Sequence, residues 1–245
     1  LILSDKWKST IGLRFENYLV KYTGENIEAI KFNNEKLIDT KDLYPSLNVI
    51  RTINDDRNLR ISYSKTTARP TFKEISAAQI YDPITERYFV GNPDVNPTYI
   101  NNFDLRYESY SDGNQIFAIS TFYKQFSDPI EITAFDANQP SVFIVRNNEE
   151  ASVYGIELEY RKDILNNDNH KLSLNLNTSV IQSIQTMSEA EYQGRLISNP
   201  DKEIDESREL QGQSPYLINL GLVYNLFEKN IELSLIHISE PTRPP

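Results

Sequence analysis

The chain has 245 residues, 24% charged and 39% apolar, which suffices for one or two domains with a sizeable core and is too apolar for wholesale disorder. A net charge of −10 argues against a nucleic-acid partner, whose phosphates such a surface repels. With no Cys there is no thiol catalysis, disulfide or Cys-held metal, and no run of ~18 apolar residues offers a transmembrane helix.

The chain opens Leu1-Ile2-Leu3-Ser4-Asp5-Lys6, without an initiator Met or a signal peptide, and is read as starting inside a domain. In chain order, nine strands are expected at 7–22, 43–53, 58–68, 100–110, 115–127, 150–162, 171–183, 215–226 and 230–236. Period-two alternation carries the assignment. Leu59, Ile61 and Tyr63 oppose Arg60, Ser62 and Ser64; Phe103, Leu105 and Tyr107 oppose Asp104, Arg106 and Glu108. Tyr154, Ile156, Leu158 and Tyr160 oppose Gly155, Glu157 and Glu159, and Leu172, Leu174 and Leu176 alternate with polar residues. Fifteen Tyr and eleven Phe against one Trp fit a strand-rich chain.

The connections between these strands alternate in length: 23–42, 69–99, 128–149 and 184–214 hold 20 residues or more, the others 8 or fewer. Every second connection of an antiparallel meander lies at the same end, so all the long ones share one rim. That is the layout of an outer-membrane barrel. Ser111-Asp112-Gly113-Asn114, Asn54-Asp55-Asp56-Arg57 and Asn166-Asn167-Asp168-Asn169 read as tight polar reversals. Alternation alone does not separate lipid outside from protein core inside. Strand length favours lipid, because soluble strands have a mode of about 5–6 residues. Tyr216 and Tyr224, eight residues apart on one face, lie roughly 20 Å apart along the normal of a tilted barrel, near the spacing of two aromatic girdles. The expected fold is all-β: an antiparallel up-and-down meander, the open part of a large transmembrane barrel, with no parallel pair or long helix within 43–226.

Four stretches, GNPDVNPTYINNFDLRYE (91–108), LRISYSKTTARPTF (59–72), EASVYGIELEYRKD (150–163) and LQGQSPYLINLGLVY (210–224), resemble TonB-dependent outer-membrane receptors of the kind common in the Bacteroidetes. The resemblance implies a 22-stranded barrel, of which nine strands are roughly 40% from the C-terminal half. It also implies a Gram-negative outer-membrane location with lipid around the barrel. An N-terminal plug, absent from this chain, would couple to the TonB complex. The cargo would be an extracellular ligand such as a siderophore, haem, cobalamin, an oligosaccharide or a peptide. A passive or structural barrel without a plug, and a soluble β-sandwich adhesin, stay open as alternatives.

Residues 1–232 are expected to form the partial barrel. LSLIHISEPTR (233–243) resembles the translation of a sequencing-library adaptor, so 233–245 is read as not native. That removes His237 and the PxxP string from functional consideration. No nucleotide-binding or esterase motif is present, and neither an enzyme, a cofactor nor a metal site is expected. His170 is read as a solvated turn residue. The acidic run 201–206 lacks the spaced ligands and Gly of a calcium loop, and segment 184–214 is read as a solvated lid. External ligand is expected to meet 69–99 and 184–214 first, with Arg69, Arg87, Tyr88 and Phe89 suited to an anionic or aromatic ligand. Arg60, Asp104, Arg106, Glu108, Glu157 and Glu159 are expected to face the lumen, as ion pairs or as contacts for a plug or ligand.

Overall fold

Strands whose side chains alternate between two media bury one face only, so they must line up edge to edge. The computed structural model describes residues 2–26, 29–84, 86–111, 115–136, 139–201, 203–229 and 231–239. Its first elements are β1 (Ile2–Ser4), β2 (Trp7–Glu25), β3 (Lys31–Asn54), β4 (Arg57–Ala68), β5 (Gln79–Asp82), β6 (Arg87–Val90), β7 (Thr98–Ser111) and β8 (Gln115–Ser127). After them come β9 (Ile130–Asp136), β10 (Gln139–Asn147), β11 (Glu150–Asn166), β12 (His170–Thr186), α1 (Glu189–Ser198), β13 (Ser207–Arg208), β14 (Tyr216–Leu226) and β15 (Ile231–Ser239).

The main sheet is a meander, β1-β2-β3-β4-β7-β8-β11-β12-β14-β15, with β13 paired to the end of β12. Every pair in it is antiparallel. All nine expected strands stand in this wall, and its two edges, β1 and β15, do not meet. Asn167 Oδ1 accepts from the backbone N–H of Asn169 (3.1 Å) and His170 (2.8 Å), closing the β11–β12 turn as its Asn-rich sequence suggests. The expected Ser111–Asn114 hairpin lies at 112–114 outside the described residues.

Two expectations are corrected. The first is the connection 23–42, expected as a loop, which is mostly strand: β2 runs on to Glu25 and β3 starts at Lys31. Here both faces carry polar residues, so no alternation advertises the strands; the hairpin is long enough to stand clear of a hydrocarbon layer that needs only about 9–11 residues. The second is the absence of parallel pairing within 43–226. A smaller sheet, β5-β6-β10-β9, is built from the long connections, and in it β6 and β10 run parallel (Val142↔Tyr88, Phe143↔Phe89, Ile144↔Val90). Those two strands belong to different connections. Loop packing therefore sets their relative direction, while hairpin geometry governs only the wall.

The long connections carry their own core. Val20 and Ile38 from the tall hairpin pack with Ile75, Val95 and Val145, and Phe89 and Ile130 lie against them. The rim is thus a packed layer.

The two faces of the wall differ in the way the medium demands. On one, Ile61, Leu105, Ile119 and Ile156 are exposed, and the rings of Tyr63 and Phe103 (5.0 Å) and of Phe103 and Tyr123 (6.4 Å) meet across neighbouring strands. On the other, even small side chains such as Ala118 and Ser120 are buried, because side chains converge on the inside of a curved sheet. Gly155 belongs to this inner face: a Cβ there would lie 2.5 Å from Val180 O and 2.9 Å from the Phe122 ring, which occupies that space.

Candidate functional site

Register decides which charges meet. Arg60 and Arg106 are directly opposed on β4 and β7, and Glu108 and Glu159 both lie opposite Ala118 of β8. Arg106 is the hub. Its Nε donates to Glu108 Oε1 (3.1 Å), its Nη1 to Ser120 Oγ (3.1 Å) and its Nη2 to Glu159 Oε2 (2.7 Å). Arg60 Nη2 also approaches Glu108 (3.5 Å), and the Tyr110 hydroxyl donates to the same carboxylate. The Glu108 side chain is only 4% exposed, so this network neutralises a charge that has left water. Asp104 accepts from Ser62 Oγ (3.2 Å). Asp104 and Glu157 line a cavity of ≈ 330 Å³ beside Arg60 and Arg106. All six expected inward charges therefore share one face.

Higher on that face, where the wall meets the rim, lies a larger recess of ≈ 480 Å³. Ala68, Thr98 and Phe126 line it from the ends of β4, β7 and β8; Pro129, Ile130 and Ile132 from the 128–149 connection; Leu210, Gln211 and Gln213 from 184–214. Its charged lining among the described residues is Glu74 and Glu131, with no Lys or Arg. Its size falls within the ~300–1,000 Å³ of ordinary ligand pockets.

Each of the four expected ligand residues has a partner of its own in the rim. Arg69 pairs with Glu16 and lies over the Tyr18 ring at 4.4 Å. Arg87 stacks on Phe143 (4.8 Å), Tyr88 on Tyr81 (5.0 Å), and Phe89 carries Lys73 on its ring (4.2 Å) while joining the loop core. Residues 87–89 sit on one short strand with alternate sides facing opposite ways.

The sequence reading missed the residue that ties the rim together. Arg208 Nε donates to Glu191 Oε1 (2.6 Å) and its Nη2 to Glu131 Oε2 (2.5 Å); its Nη1 donates to Glu209 O (2.9 Å). Burial opposes ionisation of Glu191, but the hydrogen bonds and charges of Arg208, and then Arg195, outweigh it and hold that carboxyl below its ordinary range. Arg208 itself is held charged, burial working against it and Glu191 and Glu131 for it. Segment 184–214 is thus anchored to the rim at its start and through Arg208, while 203–206 is largely exposed. It contains α1, N-capped by Ser188, and buries Gln185 and Met187. His170 is likewise half-buried, with Nδ1 2.7 Å from the Tyr224 hydroxyl.

Among the described residues no three His, Asp or Glu stand together as metal ligands, and no helix is long and apolar enough to cross a membrane, which says nothing about strands. The sequence model described as "TonB dependent receptor-like, beta-barrel" matches residues 2–235. The chain belongs to the TonB-dependent receptor family. Members of that family are outer-membrane transporters of Gram-negative bacteria and not enzymes. Solved structures of similar fold include the siderophore receptor PirA from Pseudomonas aeruginosa, at 13% identity and TM-score 0.54, covering 96% of this chain and 39% of that one. A variant of the ferric enterobactin receptor PfeA from the same organism has 17% identity and TM-score 0.52, covering 95% and 37%. The FrpB iron transporter from Neisseria meningitidis has 14% identity and TM-score 0.57, covering 95% and 30%. At such identities the likeness speaks for the fold, and the chain spans well under half of each neighbour's length. No curated protein matched the chain in sequence.

Proposed function

We propose that this TonB-dependent receptor chain is part of an outer-membrane importer, and that the ≈ 480 Å³ recess is where external ligand is first held. One observation carries the reading: the recess lies on the polar inner face of the wall at the rim that bears all the long connections. Three of those connections, 69–99, 128–149 and 184–214, contribute to its lining, so a bound ligand touches both the rim and the lumen. Lipid surrounds the exposed apolar face, and a plug outside these residues couples the barrel to the TonB complex. Siderophores and iron, named for the structural neighbours, are reasonable first cargoes to assay.

The test is uptake by cells carrying the full-length receptor with Ala68→Trp, which fills the recess from the end of β4. Uptake falls while outer-membrane insertion, read from heat-modifiable gel mobility, is retained. Unchanged uptake would remove the recess from the transport path.

A further inference from the structure

The smaller sheet ends in β5 on one side and β9 on the other, and the β9 edge borders the recess at Ile130 and Ile132. Among the described residues β9 bonds to β10 on one side and to no other strand. The ladder's phase follows from contacts around it. Asn148 N–H donates to Pro129 O (2.9 Å), so 129 and 148 are a closely bonded pair. Such pairs alternate along an antiparallel ladder, which places the next ones at Glu131↔Arg146 and Thr133↔Ile144. Ile130, Ile132 and Ala134 then turn their N–H and C=O groups away from β10.

Two contacts on opposite sides of the pair agree. Ile130 N–H, on the outer side, donates to Thr98 Oγ1 (3.2 Å). Val145, the partner of Ile132, offers its carbonyl on its own far side, where Asn92 Nδ2 donates to it (3.0 Å). The edge is therefore docked to the wall at Ile130 and continues along the recess at Ile132, for which no backbone partner stands among the described residues. Ile132 lines the recess and is 43% exposed. Unpaired edge groups of this kind are a template for another extended chain.

We propose that the recess takes an extended peptide, which adds as a strand to the β9 edge through the backbone N–H and C=O of Ile132. This rests on the recess being the ligand site. Backbone pairing along the edge holds the peptide whatever its sequence, and alternate side chains meet the lining. One face of the added strand meets apolar Phe126 and Leu210. Glu131 is neutralised by Arg208, and among the described residues the lining offers no cation to an anionic chelate.

The test uses purified full-length receptor and a fluorescent octapeptide of alternating valine and threonine, beside a twin N-methylated at every amide. The parent peptide binds and the twin binds at least about tenfold more weakly, the scale of one or two lost hydrogen bonds. Ile132→Pro deletes the outward N–H without touching the β9–β10 ladder, a position where strands tolerate Pro. It weakens parent binding about tenfold, whereas Ile132→Ala, which keeps the amide, weakens it less than about threefold. If Ile132→Pro fails to insert, the two peptides on the unaltered receptor decide. Absent binding of the parent, or equal binding of parent and twin, overturns the proposal. If Ala68→Trp blocks uptake while the peptide does not bind, the edge proposal alone falls; if Ala68→Trp changes nothing, the recess falls with it.

Discussion

Arg208 and Glu191 are 17 residues apart in sequence, yet Arg208 Nε lies 2.6 Å from Glu191 Oε1, with both side chains nearly buried (10% and 14% exposed). With Glu131 as its second partner, Arg208 joins α1, β9 and the end of β12 into one latch. Removing it takes from Glu131 and Glu191 the buried cation they share and leaves Glu191 with the more exposed Arg195 (2.9 Å). Arg208→Ala is expected to lower the local opening free energy of the rim by about 3–5 kcal/mol. Amide hydrogen exchange should then quicken in 130–136 and 189–198 and stay slow in the wall.

The same latch has a defined pH response. Glu191 has its pKa lowered from 4.5 in the folded protein, so its contribution is fully present above that value. It is lost only as pH falls through the lower folded value. Exchange in 189–198, corrected for the intrinsic rate, should be the same at about pH 7 and about pH 5.5 and rise only below about pH 4. A rise near neutrality would mean that a different group controls the latch.

The wall was legible because period-two alternation assigns every residue of a strand to a face. That is why Asp104, Arg106 and Glu108 could be placed together with Glu157 and Glu159 from another hairpin. Residues 23–42 were not legible, since polar side chains on both faces erase the period once a strand rises above the lipid. The β9 strand did leave a trace, Ile130-Glu131-Ile132-Thr133, but its length is that of a loop excursion. The partner of β10, β6, lies some fifty residues upstream, and the latch joins positions 131, 191 and 208. No local pattern encodes such distances.

Arg106 should matter to the barrel itself. Arg106→Met strips Glu108 and Glu159 of their shared cation and is expected to cost about 2–3 kcal/mol, less than a fully buried pair because Arg106 and Glu159 are each near 30% exposed. Urea unfolding of the receptor in lipid measures this. Arg106→Lys should recover part of the loss, as it restores charge but not the fork that reaches Glu108, Ser120 and Glu159 together.

Deleting 76–90 removes β5 and β6 with Phe89 of the loop core but cuts no wall strand. Uptake should be abolished and insertion preserved. A deletion of similar length within 171–183 should prevent assembly, since β11 and β14 lose their ladder partner in lipid. Unchanged uptake after the first deletion would exclude this connection from the binding region.

In β15, Leu233 and Leu235 lie opposite Tyr224 and Leu222, but from Ile236 the apolar positions change sides: Ile236 and Ile238 oppose Gly221 and Asn219, and His237 opposes Leu220. A slip of one residue exchanges the two media. We propose that 233–245 is adaptor-derived and that the native gene departs from this sequence near Leu233. Amplification of the locus should show a different continuation there; the sequence through Pro245 followed by a native stop codon would refute this.

The most direct test of the account as a whole uses the absence of Cys from these 245 residues, with any Cys elsewhere in the full-length receptor replaced by Ser. Single Cys residues are placed along β7 of the full-length receptor at 103, 104, 105, 106, 107 and 108 and spin-labelled in liposomes. Oxygen, which concentrates in lipid, should relax the labels at 103, 105 and 107, and a water-soluble nickel chelate those at 104, 106 and 108. Equal access of the nickel chelate to both sets would contradict a membrane wall with a hydrated interior.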